Sequence, residues 1–325
     1  MGPGHGLNHS IPERKDKTMS DLVDILGIGC CSIDLLSVLP EPVGSDTKQR
    51  MDRFSRQGGG LVATALVAAH RLGASARFIG KVANDSLGKE ILDQLKEEGV
   101  DPTCTVVVSG KETRFAIILV DAHSGQRSII WTPGTVEPLK WEEIDSSIIT
   151  RCKLLHIDEY EMQAVIPAAQ AARAAGIFVS LDAETVEENT PELLQSVNLV
   201  IGSEEFGRRF TGQSDPERAA RFLREQGPQI AGVTLGSQGS VFCDESESFY
   251  QEAFSVDVVD TTGAGDVFHG AFAFGILQGW TSRTCALLAS ATSALKCRGL
   301  GGREAIPDLS SVREFLHERN HLLPE

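Results

Sequence analysis

Hydrophobic positions recur along this chain with two different periods, and the switches between them divide it into elements. Leu22 to Cys30 is a compact apolar run ending in small residues, the pattern of a strand buried on both faces, and Asp34 follows on a predicted turn. From Leu61 to Leu72, apolar and alanine positions return at helical spacing and stop at Gly73; Leu87 to Lys96 repeats the pattern before Gly99, so both are predicted helices. Segments near 48–57, 104–109, 113–121 and 126–131 are short, partly alternating and separated by Gly or Pro turns. They predict antiparallel strands with one exposed face, in a small sheet apart from the main one.

The second half alternates regularly. Strands are predicted at Leu154–Asp158, Phe178–Asp182, Leu199–Gly202 and Ile230–Gly236, with helices at Met162–Ala175 and Pro216–Gln226. Two long apolar stretches, Asp266–Gln278 and Ser282–Lys296, predict packed helices near the end. Such alternation builds right-handed βαβ units. The expected fold class is α/β: a doubly wound, mainly parallel central sheet flanked by helices, with a small β-sheet lid from about 38–57 and 104–131. All of this falls in one domain, residues 20–320, without internal repeats or low-complexity tracts.

Composition narrows the function. The 325 residues are 41% hydrophobic, 23% charged and 6% aromatic, as in a globular enzyme. A net charge of -15, from 30 Lys+Arg against 45 Asp+Glu, with no basic run, argues against a nucleic acid partner. A nucleotide remains compatible, because a helix N-terminus binds phosphate inside an acidic protein. The seven cysteines form no CxxC pair and no zinc-like spacing, so reduced thiols packed as small hydrophobes are expected. No run approaches ~18 apolar residues, which argues against a membrane span and for a cytoplasmic protein. Residues 1–19 are rich in Gly, Pro and charge and lack an apolar core, so they read as a disordered leader or an expression remnant rather than a signal peptide.

The most informative segment is Asp260-Thr261-Thr262-Gly263-Ala264-Gly265-Asp266, where a helix begins. Two glycines flanking an alanine let backbone N–H groups converge on an anion at the positive end of the helix dipole. Phosphoryl transfer needs such donors for the moving group, and a carboxylate to orient and deprotonate the attacking hydroxyl. Asp266 stands where that carboxylate is required; an acid in a first helical turn is also simply favourable. Two other patterns lead nowhere. Gly27-Ile28-Gly29 lacks the third glycine and the helix of a dinucleotide fingerprint, and His269 reads as a packed or hydrogen-bonded histidine one turn inward.

The heptad resembles the C-terminal motif DTTGAGD of the ribokinase-like (PfkB) carbohydrate kinases, matched without a substitution. Gly58-Gly59-Gly60-Leu61-Val62-Ala63-Thr64-Ala65 and Gly80-Lys81-Val82-Ala83-Asn84-Asp85-Ser86-Leu87-Gly88 resemble the family's N-terminal motif, and the likeness runs from about Asp24 to Pro307. It implies Asp266 as the base and Gly263, Ala264 and Gly265 as the anion hole. It also implies sugar contacts from Asp34, Asp46, Gly59, Gly60 and Thr64, although Asp46, beside Gly44 and Ser45, reads equally well as a turn former. Thr64 replaces the family's usual Asn, and Leu61 a usual polar residue, so the sugar pocket differs. Arg127 resembles an arginine that ketohexokinases keep between nucleotide and sugar; the alternative is a solvated guard of a sheet edge.

On the nucleotide side, Thr234-Leu235-Gly236-Ser237-Gln238-Gly239 resembles the family's loop along the ATP phosphates, which implies roles for Thr234, Gly236, Ser237 and Gly239. Adenine is expected near Ala291, Ala294 and Cys297. The family's Asn-x-x-Glu motif for magnesium-bound water is broken to Ser203-Glu204-Glu205-Phe206, leaving Glu204 or Glu205 as substitutes. The resemblance thus implies a sugar kinase using ATP and Mg²⁺, with a monovalent cation as a further candidate and a homodimer through the lid. The Ala294–Arg303 region resembles the ketohexokinase and sulfofructose kinase branch, which suggests a ketose; Lys48, Arg114 and Arg127 would suit one bearing an anionic group. A catalytically silent sugar-binding protein and a nucleoside kinase are the alternatives.

Overall fold

A computed structural model describes residues 22–324; the leader expected over 1–19 lies outside the described residues. The chain opens with β1 (Val23–Ile28), β2 (Ser32–Leu39) and β3 (Arg53–Gly59). Next come α1 (Leu61–Arg71), β4 (Ala76–Ile79), β5 (Lys81–Ala83), α2 (Ser86–Glu97), β6 (Val100–Asp101) and β7 (Val106–Val108). A hairpin of β8 (Phe115–Asp121) and β9 (Arg127–Thr132) leads to β10 (Cys152–Asp158), α3 (Met162–Ala174), β11 (Phe178–Ala183) and α4 (Thr190–Gln195). Then follow β12 (Leu199–Ser203), α5 (Glu204–Thr211), α6 (Pro216–Glu225) and β13 (Ile230–Thr234). The chain finishes with β14 (Ser240–Cys243), β15 (Ser248–Gln251), α7 (Ala264–Leu277), α8 (Ser282–Lys296) and α9 (Leu309–His317).

The main sheet has the order β15-β14-β13-β12-β11-β10-β1-β4-β6, parallel from β6 to β13 and antiparallel at the β14–β15 edge. Its strands are apolar on both faces because both are covered. Ile25, Leu154 and Leu199 pack with α1, α7 and α8 on one side, while Leu26, Leu155 and Val200 pack with α3, α5 and α6 on the other. The doubly wound α/β expectation is met. The strand expected over Ile230–Gly236 ends at Thr234, where a 3₁₀ turn at Gly236–Gln238 reverses the chain into β14. No described helix is long and apolar enough to cross a membrane.

The second sheet, β3-β2-β8-β9, differs from expectation in three ways. Asp34 is not on a turn: it lies within β2, opposite Gln57 and Ala116, because the chain leaves β1, bends over three residues and stays extended. The sheet is mixed, with β2 and β8 parallel. The 104–109 segment is not part of it; Val106–Val108 pairs with β5 in a separate ribbon. The lid therefore consists of residues 32–39, 53–59 and 115–132, rather than 38–57 and 104–131.

Candidate active site

The parallel strands β1, β10, β11, β12 and β13 deliver their carboxyl ends to one edge of the sheet, where ligands bind in open α/β folds. The lid arches over that edge and encloses a cleft of about 470 Å³, whose walls include Asp34, Arg114, Trp131, Tyr160, Asp182 and Asp266. Next to it lies a cavity of about 530 Å³, walled by Gly236, Ser237, Gly239, Phe254, Ala294 and Cys297. The two share Arg127, Thr234 and Gly265. Gly265 and Asp266, in the first turn of α7, therefore stand at the seam.

That turn is fixed from below. The fully buried Asp260 carboxylate accepts from Thr262 N (2.9 Å), Thr262 Oγ1 (2.8 Å) and Gly301 N (2.7 Å). The equally buried Lys296 ammonium donates to the Asp260 carbonyl at 3.0 Å, and burial lowers its pKa. Gly263 caps α7 in the left-handed region, φ +74°. Among the described residues, the N–H groups of Gly263, Gly265 and Asp266 have no acceptor, as the start of a helix requires. A Cβ at Gly265 would meet nothing within 4 Å, so an anion has room to approach. Ala264 departs from the three-amide expectation: its N–H is already donated to Thr261 O at 3.2 Å, which leaves the Asp266 amide to complete the set.

Asp266 is half-buried in the cleft wall, and its carboxyl is held well above the usual range. Loss of hydration is the main cause, reinforced by the charges of Asp182, Glu184 and Asp34 and opposed by Arg127. Arg127 donates to Thr261 Oγ1, which anchors it at the seam between the two cavities. Behind Asp266, the buried His269 presents Nε2 to Asp182 Oδ1 at 3.1 Å; burial holds this histidine neutral, with its pKa near 3. His269 is thus the hydrogen-bonded residue expected.

On the sugar side, Asp34 is 7% exposed, accepts from Ser32 Oγ at 2.9 Å, and has its pKa raised by burial. Its carboxyl lies over the Gly59 Cα so closely that any Cβ there would overlap it. Gly60 has φ +92° and sits against the Cys31 backbone, so both glycines let α1 begin beneath the carboxylate. Thr64 is fully covered and lies one layer back, where its Oγ1 takes a 3.3 Å bond from Arg303 Nε. Arg303 also holds Gly59 O at 2.9 Å and offsets the charge of Asp34; the sequence reading assigned it no role. Asp46 is not brought to the cleft. It is exposed in the 40–52 loop with φ +54°, as a turn former would be.

On the nucleotide side, Thr234, Gly236, Ser237, Gly239, Ala294 and Cys297 line the second cavity, whereas Ala291 is packed in the core. Glu204 and Glu205 do not reach either cavity. Both are exposed on the first turn of α5, and Glu205 is paired with Arg208 at 2.5 Å. Besides Asp34 and Asp266, the acids that face the cleft are Asp182 and Glu184, at and just past the end of β11, with Glu184 accepting from Tyr160 OH at 2.9 Å. Their oxygen donors suit Mg²⁺, which needs only one or two carboxylates and keeps its waters. They were findable in the sequence from the rule that ligands gather at strand ends, applied to Leu181-Asp182-Ala183.

Comparisons with known proteins agree with this geometry. A family model described as pfkB family carbohydrate kinase matches residues 23–309. The chain is 29% identical over 267 residues to a ribokinase of Haemophilus influenzae, covering 79% of this chain and 87% of that one. It superposes on Arabidopsis thaliana ribokinase complexed with ribose and ATP with a TM-score of 0.78 at 25% identity, covering 90% of this chain and 98% of the other. An Escherichia coli structure described as a ribokinase II, in complex with ATP and Mg²⁺, gives 0.79 at 25% identity over 91% and 100% of the two chains.

Proposed function

Because the chain belongs to the pfkB family of carbohydrate kinases, we propose that it transfers the γ-phosphoryl group of Mg-ATP to a hydroxymethyl oxygen of a ketose. The observation that carries this reading is the seam: free amides of Gly263, Gly265 and Asp266, with the Asp266 carboxylate, between a cleft that carries Asp34, Arg114 and Asp182 and a more apolar cavity. The apolar walls of the larger cavity, Phe254, Ala294 and Cys297 among them, suit a purine, and the glycine turn at 236–239 suits its phosphates. Asp34 and the backbone at Gly59 and Gly60 orient the sugar, and Asp266 takes the hydroxyl proton as the new O–P bond forms. Arg127 and the three amides meet the charge that develops on the phosphoryl oxygens. Magnesium, when bound, neutralises phosphate charge, and Asp182 and Glu184 are the residues that would hold it. Lys296 places its side-chain nitrogen beneath the turn, on the Asp260 carbonyl.

ADP release measured with and without fructose, fructose 6-phosphate, 6-deoxy-6-sulfofructose, gluconate, ribose and a nucleoside tests the assignment. Release is expected with fructose above ribose and with no nucleoside; release with none of the sugars would overturn the kinase reading, and a nucleoside preference would replace the ketose. We also read the outer lid face as the contact for a second copy. Phe54 on β3 (55% exposed), Ile117 on β8 (37%) and Ile130 on β9 (59%) share one face of the four-stranded sheet, with β2 between the first two, and are uncovered. Sedimentation is expected to give twice the 35.0 kDa chain mass; a monomer at micromolar concentration would remove this contact.

A further inference from the structure

The three cations that might favour an anionic sugar have separate fates. Lys48 is exposed in the 40–52 loop, outside the cleft, and Arg127 is tied to Thr261 beside the base. Arg114 lines the cleft, and it is not satisfied there. Of the five N–H donors on its guanidinium, one is used, from Nη1 to Cys30 Sγ at 2.7 Å. Burial pushes the Cys30 thiol well above its usual pKa, so this sulfur is a neutral partner and not a counterion. No carboxylate among the described residues comes within ion-pair distance of Arg114. Its acidic neighbours are occupied: Asp158 accepts from Cys30 N at 2.7 Å and Tyr160 N at 3.0 Å, and Glu161 accepts from Leu139 N.

The guanidinium is also held in place. Its carbon lies 4.7 Å from the Tyr160 ring centre and 5.7 Å from that of Trp131, and both rings line the same cleft. Two aromatic faces fix the fork while leaving its edge donors unspent. A hydroxyl of a neutral polyol accepts from such donors singly and leaves the charge unmatched, whereas a planar or tetrahedral oxyanion takes two of them at once and neutralises it.

We propose that Arg114 is a specificity-determining residue that grips an oxyanion on the acceptor, so that the preferred substrate is an acidic sugar carrying a carboxylate, phosphate or sulfonate. This rests on the kinase reading above and names the substrate class of the same site.

The test compares kcat/KM for fructose with that for fructose 6-phosphate, 6-deoxy-6-sulfofructose and gluconate, in the parent enzyme and in Arg114→Gln and Arg114→Lys. At least one acidic sugar is expected to exceed fructose by on the order of 10–10², with the type of oxyanion identifying the group. Arg114→Gln should bring that ratio close to one through KM of the acidic sugar, with KM for ATP retained. Arg114→Lys should keep part of the preference, because an ammonium has charge but no fork. If Arg114→Gln does not melt cooperatively, the partial loss in Arg114→Lys carries the test. Turnover of fructose at least equal to that of every acidic sugar, or an unchanged ratio in both variants, overturns the proposal while leaving the kinase reading intact. No ADP release with any sugar overturns both.

Discussion

Replacing Asp266 with Asn is expected to lower kcat by ~10²–10⁴, the usual worth of a general base, while nucleotide affinity changes little. The substitution keeps the shape of the side chain and the free amides at the start of α7, so the anion hole survives; what disappears is the proton acceptor. The pH profile should separate this role from simple positioning. A base acts only when ionised, and the Asp266 carboxyl is raised above the ordinary carboxylate range by desolvation and by Asp182, Glu184 and Asp34. Activity should therefore rise with pH through an acid limb lying higher than an exposed Asp would give, then level off. Arg127 pulls the same pKa down, so Arg127→Met should move that limb to higher pH. An Asp266→Asn enzyme with unchanged kcat, or a limb unmoved by Arg127→Met, would contradict the assignment.

Gly270→Ala should destabilise the fold by about 1–3 kcal/mol, the common cost of overpacking, and lower the melting temperature by several degrees. Helix propensity alone predicts the reverse, since Ala is favoured over Gly by ~1 kcal/mol in a helix interior. The sign is decided by contact: a Cβ on Gly270 would fall 2.1 Å from the carbonyl oxygen of Ala65, so α7 meets the backbone of α1 with no flexible side chain to yield. Because α1 begins at the Gly59-Gly60 turn and α7 carries Asp266 in its first turn, prying them apart should also raise KM for the sugar. A variant as stable as its parent would show that this approach does not govern the spacing. Thermal unfolding followed by circular dichroism measures it.

Much of the fold could be read along the chain because its signals are local. Apolar runs such as Leu154-Leu155 and Leu199-Val200-Ile201, spaced by amphipathic helices, specify covered parallel strands without reference to anything distant. The lid was less legible. Asp34 inside an apolar run looks like a turn residue, and only pairing with Gln57 and Ala116 makes it part of a strand. The 104–109 segment has the composition of a lid strand, but its partner is Lys81–Ala83, a choice that depends on where α2 leaves the chain.

The site divides in the same way. Gly263, Gly265 and Asp266 fall within four consecutive residues, and a helix start exposes amides wherever it occurs, so the sequence alone located the candidate phosphate end and base, although only the folded turn exchanges the Ala264 amide for that of Asp266. The remainder depended on groups that come together from separate segments. Arg303 reaches Thr64 and Gly59 across more than two hundred residues, Asp182 and Glu184 replace Glu204 and Glu205 as the acids facing the cleft, and Arg114 acquires its aromatic clamp from Trp131 and Tyr160. Burial and charge proximity are properties of the packed chain. They determine which acids face the ligand and which cation in the cleft is left without a carboxylate partner, and no spacing along the sequence encodes either.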